Sequence, residues 1–181
     1  LAAELEGHPD NTAPALLGGL VTAVMEGGRV YTVSVPVSEN IRFAVFIPDF
    51  ELKTEVARAA LPEQVSRADA VYNLSRAALM TASLCKGGFS HLRVAVQDRL
   101  HQPYRFPMIP GAEQVFYIAY GLGAHAVAIS GAGPSILAVI DSADKAFADK
   151  AALRLREAGL TGWQVQLFGC DSRGATVEFV G

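Results

Sequence analysis

Glu4, Glu6, His8, Asp10 and Asn11 put five polar functional groups into eight residues, directly ahead of the small apolar run 13–20. Carboxylates so placed can orient a hydroxyl, accept its proton or hold a cation, while an asparagine donates without acting as a base. Helix capping by Asp10 or Asn11 is the competing explanation, but it gives no role to His8 or the glutamates. A second cluster is Ser130, Gly131, Ala132, Gly133, Pro134 and Ser135, between two apolar stretches. Small residues let backbone N–H groups approach an anion; an ordinary tight hairpin would use the same residues. The third set is Thr54 with Arg58, four residues on and so on the same helix face, and Arg105 among prolines and aromatics. The guanidinium fork matches a carboxylate. Surface charge is the alternative for Arg58, and a brace for the proline-stiffened segment is the alternative for Arg105.

Other polar residues carry less. His91, His101 and His125 lack metal-ligand spacing, Cys85 has no evident partner base, and no Gly-x-x-x-x-Gly-Lys-Ser/Thr motif occurs. Asn73 is a candidate pocket residue on a helix.

The elements that must position these groups follow from pattern. Helices are expected at 2–5 and 13–20, the second capped by Asp10. Strands are expected at 21–25 and 29–35, joined through Gly27 and Gly28, and at 43–47. Residues 54–61, 68–84 (apolar at Val71, Leu74, Ala78 and Leu84), 92–100, 112–122 and 143–158 read as helices. Pro103, Pro107 and Pro110 predict an extended crossing between them. Strands are expected at 126–130, 136–140, 163–168 and 175–180. This order suits helices packed on one face of an antiparallel sheet, a split βαβ in an α+β protein. The seam between two domains, 1–50 and 51–181, is placed near 48–53.

Composition sets bounds. The 181 residues are 51% hydrophobic, enough for a true core, with 15 basic and 18 acidic residues and a net charge of −3. No basic field is available to grip a nucleic-acid backbone. No apolar run reaches the about 18 residues that span a bilayer. Cys85 and Cys170, far apart, read as reduced core thiols of a cytoplasmic protein. Leu1, with no initiator Met and a helix already under way, reads as an interior point of a longer sequence.

The segments EGHPDNTAPALLGGL, TEVARAAL, PYRFPMIPG and AISGAGPSILAV, in this order, resemble those of homoserine kinases, within the wider GHMP kinase group. The resemblance covers residues 1–180. It implies part of an N-terminal domain like ribosomal S5 domain 2, followed by a ferredoxin-like C-terminal domain. It implies transfer of a phosphoryl group from ATP, with Mg, to the side-chain hydroxyl of L-homoserine, on the route to threonine.

By the same resemblance, Asp10 and Asn11 orient the reacting hydroxyl and His8 lines the pocket. Arg58 and Arg105, supported by Thr54, hold the substrate carboxylate. Ser130, Gly131, Ala132 and Gly133 offer backbone N–H groups, and Glu4, or else Glu6, ligates the metal. The family's Pro-x-x-x-Gly-Leu-Gly-Ser-Ser loop is absent, so these 181 residues alone are not expected to turn over ATP. A homodimer is open on this reading. The competing assignments are another GHMP small-molecule kinase and a non-catalytic ferredoxin-like module that binds an amino acid.

Overall fold

The computed structural model describes residues 1–178, in two compact units. The first comprises Leu1–Ser38 with the described residues from Gly169 onward; the second is Glu39–Phe168. The seam therefore falls ahead of the expected 48–53. The reason is that strand 41–48 forms the middle of the second unit's sheet and cannot be parted from it.

The first unit holds α1 (Ala2–Glu6), α2 (Thr12–Leu17), β1 (Leu20–Glu26) and β2 (Arg29–Val35). β1 and β2 pair as an antiparallel hairpin through Gly27 and Gly28, in register from Leu20 with Val35 to Glu26 with Arg29. α2 stops at Leu17 rather than running to residue 20, because Gly18 leaves the helix at φ 70°, ψ 168°, a region open essentially to glycine alone. The segment after Gly169 returns to this turn. Gly19 N–H donates to the Asp171 carbonyl at 2.7 Å and Ala175 N–H to the Leu16 carbonyl at 3.3 Å. A Cβ on Gly18 would lie 2.6 Å from Gly174 N, so the two backbones touch. Residues 175–178 are not strand; the remainder of the strand expected at 175–180 lies outside the described residues.

The second unit holds β3 (Ile41–Pro48), α3 (Thr54–Ala59), α4 (Arg67–Lys86), α5 (Leu92–Ala95), α6 (Gln102–Arg105), a 3₁₀ turn Phe106–Met108, α7 (Ala112–Gly121), β4 (Ala126–Ile129), β5 (Ile136–Asp141), α8 (Phe147–Glu157) and β6 (Trp163–Phe168). Its sheet runs β4-β5-β3-β6, every pair antiparallel. In order of appearance the strands lie 2-3-1-4, with a crossover ahead of the second and helix α8 ahead of the fourth. That is the split βαβ arrangement the pattern predicted. Alternate residues of β3, Ala44 and Phe46, are fully buried. They meet Val115, Ile118 and Ala119 of α7 and Phe147, Ala151 and Leu155 of α8 in one core, where Phe46 and Phe147 pack edge to face at 6.5 Å.

Four local expectations are corrected. The helix expected at 92–100 ends at Ala95, and the segment after it turns around Asp98, whose carboxylate accepts the N–H groups of Leu100, His101 and Gln102. The proline-rich crossing is not extended: α6 and the 3₁₀ turn each carry proline in their first turn, where its missing N–H has no intrahelical partner to lose. α8 starts at Phe147 rather than 143, after Asp141 draws the Ala143 N–H into a turn. On α4 the apolar spacing gives the helix but not its buried face. Val71 and Leu74 are exposed, and so is Cys85, read above as a core thiol. Among the described residues no helix is long and apolar enough to cross a membrane.

Candidate active site

The second unit gathers its candidate site around Arg105, one of two buried polar or charged residues among the described residues, with 6% of its surface exposed. Its position is set from both sides. Upstream, Asn73 of α4 donates to the Asp98 carboxylate and accepts the Arg99 N–H at 2.9 Å, anchoring the turn that starts α6. Within α6, Gln102 Oε1 accepts the outward N–H of Ile129 at 2.9 Å, and Gln102 Nε2 donates to the Val96 carbonyl. Ile129 is the last residue of β4, so this bond lays α6 against the start of the 130–135 loop. It also satisfies one outward donor of an edge strand; Tyr120 Oη takes the Val127 N–H in the same way.

Arg105 then reaches three partners. Nε donates to the Ala57 carbonyl of α3 at 3.2 Å, Nη1 to the Gly131 carbonyl at 2.9 Å, and Nη1 lies 3.3 Å from His101 Nε2. α3 carries Thr54 and Arg58, both exposed. Arg58 stands close enough that its charge, after burial, draws the Arg105 pKa below its ordinary value, with Asp98 opposing. Nη2 of Arg105 makes no hydrogen bond to the described residues. The structure thus joins Arg105 to Gly131, with the Arg58 charge within electrostatic reach, and it gives Arg105 a bracing role alongside any anion it holds.

The loop itself is less open than its composition implies. Ser130 N–H donates to the Ser135 carbonyl at 2.8 Å and Gly133 N–H to the Ser130 carbonyl at 2.9 Å. The N–H groups of Gly131, Ala132 and Ser135 make no backbone bond among the described residues and are left for an anion. Gly133, at φ 87°, sits where a Cβ would come within 3.0 Å of Ile109 and 3.2 Å of Ile129 on β4, so the loop packs tightly against both. A cleft of about 320 Å³ runs past its far side, lined by Thr54, Lys53, Leu52, Pro134 and Ser135. A larger hollow of about 540 Å³, walled by Tyr72, Arg99, Phe106, Phe116 and Tyr120, includes none of the expected site residues; its polar groups are engaged within the protein.

In the first unit, His8 Nδ1 contacts Asp10 Oδ1, which also accepts the Asn11 N–H at 2.9 Å. The cap of α2 is Asn11, not Asp10, and it makes no side-chain cap bond. Capping therefore does not account for this cluster. Glu4 lies in the first turn of α1, its side chain 60% exposed, beside the Leu1 nitrogen.

Asp98 and His101 join this arrangement, although the sequence pattern assigns no role to Asp98 and shows no metal-ligand spacing at His101. The available signal was His101 four residues before Arg105, on one helix face. Burial, with Arg105 next, lowers the His101 pKa from its usual 6.5, against Asp98. Burial of Asp98 raises its pKa, but the Gln102 N–H, Asn73 and the Leu100 and His101 N–H groups outweigh it, so the carboxyl lies below its usual 3.8.

Residues 80–159 match the family described as GHMP kinases C terminal. The chain is 46% identical to a homoserine kinase of Clostridium beijerinckii and 44% identical to one of Caldicellulosiruptor saccharolyticus, each over 98% of its length. It spans 59% and 58% of those curated relatives. The crystal structure of homoserine kinase from Cytophaga hutchinsonii superposes with a TM-score of 0.83 at 30% identity, covering 92% of this chain and 53% of that one.

Proposed function

We propose, from the match of residues 80–159 to the family described as GHMP kinases C terminal, that the chain serves phosphoryl transfer from ATP to the side-chain hydroxyl of L-homoserine. The observation that carries this reading is Arg105 bonded to the Gly131 carbonyl, with the Arg58 charge within electrostatic reach of its guanidinium. Two cations in reach of each other suit an amino-acid carboxylate.

Phosphoryl transfer asks for alignment and charge neutralisation more than for covalent help. Arg105, held at Nε and Nη1, offers Nη2 to the substrate carboxylate. Arg58 contributes the second charge, and Thr54 lies on the same face of α3. The Gly131 and Ala132 N–H groups donate to a phosphate or substrate oxygen. Asp10, oriented through His8 and the Asn11 N–H, accepts from the reacting hydroxyl, and Asn11 donates to the substrate.

Glu4 fits Mg²⁺, which takes one or two carboxylates and keeps waters and phosphate oxygens for its other positions; an exposed carboxylate near a helix start suits that. The ion would supply charge screening for the phosphates. Placement in the cytoplasm and a role in threonine biosynthesis belong to the same proposal.

A thermal-shift panel of L-homoserine, L-threonine, mevalonate and Mg-ATP tests the reading. L-Homoserine is expected to stabilise the chain and mevalonate is not. Stabilisation by mevalonate alone would point to an alcohol kinase. A response to amino acids that survives Asp10→Asn unchanged would favour an amino-acid-binding module.

A further inference from the structure

We infer that His101 is a positioning residue: a neutral imidazole whose Nε2 accepts from Arg105 Nη1 and fixes the guanidinium that meets the substrate carboxylate. This rests on the proposed role of Arg105. The 3.3 Å separation joins a ring nitrogen to a group that has only donors and keeps its charge. The ring nitrogen must therefore be the acceptor, and the proton must sit on Nδ1. Nδ1 is sealed from solvent and has no hydrogen-bond partner. Asp98 Oδ2 lies 3.8 Å from it, beyond a hydrogen bond but close enough to attract the N–H. Asp98 cannot swing nearer without loosening the backbone N–H groups of residues 100–102 that it already holds.

A second proton on the ring would remove the acceptor and set a cation against Arg105. The charged groups facing the imidazole are Asp98 on the turn before α6 and Arg105 one helical turn on, with Arg58 of α3 beyond it. The 130–135 loop presents the Gly131 carbonyl. Burial, with the Arg105 charge beside the ring and Asp98 opposing, keeps the ring neutral near pH 7. Protonation at lower pH frees Nη1 from one of its two anchors, so carboxylate binding weakens on the acid side of neutrality.

The experiment has two arms on the full chain. Nitrogen-15 spectra of the His101 ring at about pH 7.5 should show Nδ1 protonated and Nε2 bare; the opposite tautomer, or a charged ring, overturns the inference. L-Homoserine affinity is then measured by calorimetry across about pH 5 to 8. Wild type should lose about tenfold toward the acid end, as expected for one charge-assisted bond. His101→Gln, with an amide oxygen near the Nε2 position, should keep the affinity and lose the acid-side fall. His101→Leu should bind about tenfold more weakly throughout. Equal affinity and an equal pH profile in wild type and His101→Leu would sink the idea. If wild type does not bind L-homoserine, the proposed function fails. Positioning is then decided by the ring tautomer and by faster solvent exchange of the Arg105 Nη protons in His101→Leu; unchanged exchange overturns it.

Discussion

Arg105 Nε donates to the Ala57 carbonyl 3.2 Å away, tying α6 to the helix that bears Thr54 and Arg58. Ala57 is fully buried, so its carbonyl has no ready substitute in water. Arg105→Ala should therefore destabilise the chain by about 1–3 kcal/mol through that stranded acceptor. It should also weaken L-homoserine binding about 10- to 150-fold. Arg105→Lys keeps the charge but not the fork and should restore only part of each. Chemical denaturation and calorimetry on the same samples separate the two effects. Lost stability with intact homoserine affinity would make Arg105 a brace and nothing more.

Asp10 is expected to behave in the opposite way. Its carboxylate is 72% exposed, so Asp10→Asn should change stability by less than about 0.5 kcal/mol. The same substitution should weaken L-homoserine binding about tenfold or more, because a charge-assisted bond to the hydroxyl becomes a neutral one. Affinity that matches wild type would remove Asp10 from the site.

Gly18→Ala tests the return of the C-terminal segment. The backbone there is in a glycine-only region, and the new Cβ would meet the Ser172 carbonyl carbon at 2.6 Å. Strain of about 1–3 kcal/mol is expected from the dihedrals, with overpacking of similar size added. Gly88→Ala, which meets nothing within 4 Å, is the control and should be close to neutral. Urea midpoints of the two variants decide this, and equal midpoints would contradict the contact.

Stability should rise with pH through the acid range. The folded pKa of His101 is lowered, so below about 6.5 the unfolded chain binds more protons and stability falls as pH falls. Asp98 is lowered as well. Its contribution is present above about 3.8 and is lost as pH drops through the folded pKa. Unfolding free energy measured in urea from about pH 3 to 8 should show both losses on acidification. Asp98→Asn should flatten the lower one, and a profile identical to wild type would show that the turn does not depend on the Asp98 charge.

The hairpin 20–35, the helix under Thr54 and Arg58, and the small-residue turn between two apolar strands were legible in the sequence, because each is fixed by contacts within a few residues. So was the order of strands and helices that the antiparallel sheet requires. The packing partners were not. Spacing along α4 could not say which face is buried, since Val71 and Leu74 have the same period as a core stripe yet stay exposed. Proline content argued for an extended crossing, but first-turn positions made proline compatible with α6 and the 3₁₀ turn. Most of all, the bonds that join Arg105 to Ala57 and Gly131 span 48 and 26 residues. Local pattern carries no record of which distant carbonyl a guanidinium will reach. That was decided only when the sheet set β4 beside β5 and Gln102 laid α6 along its edge, placing His101 and Gly131 within hydrogen-bond distance of Arg105.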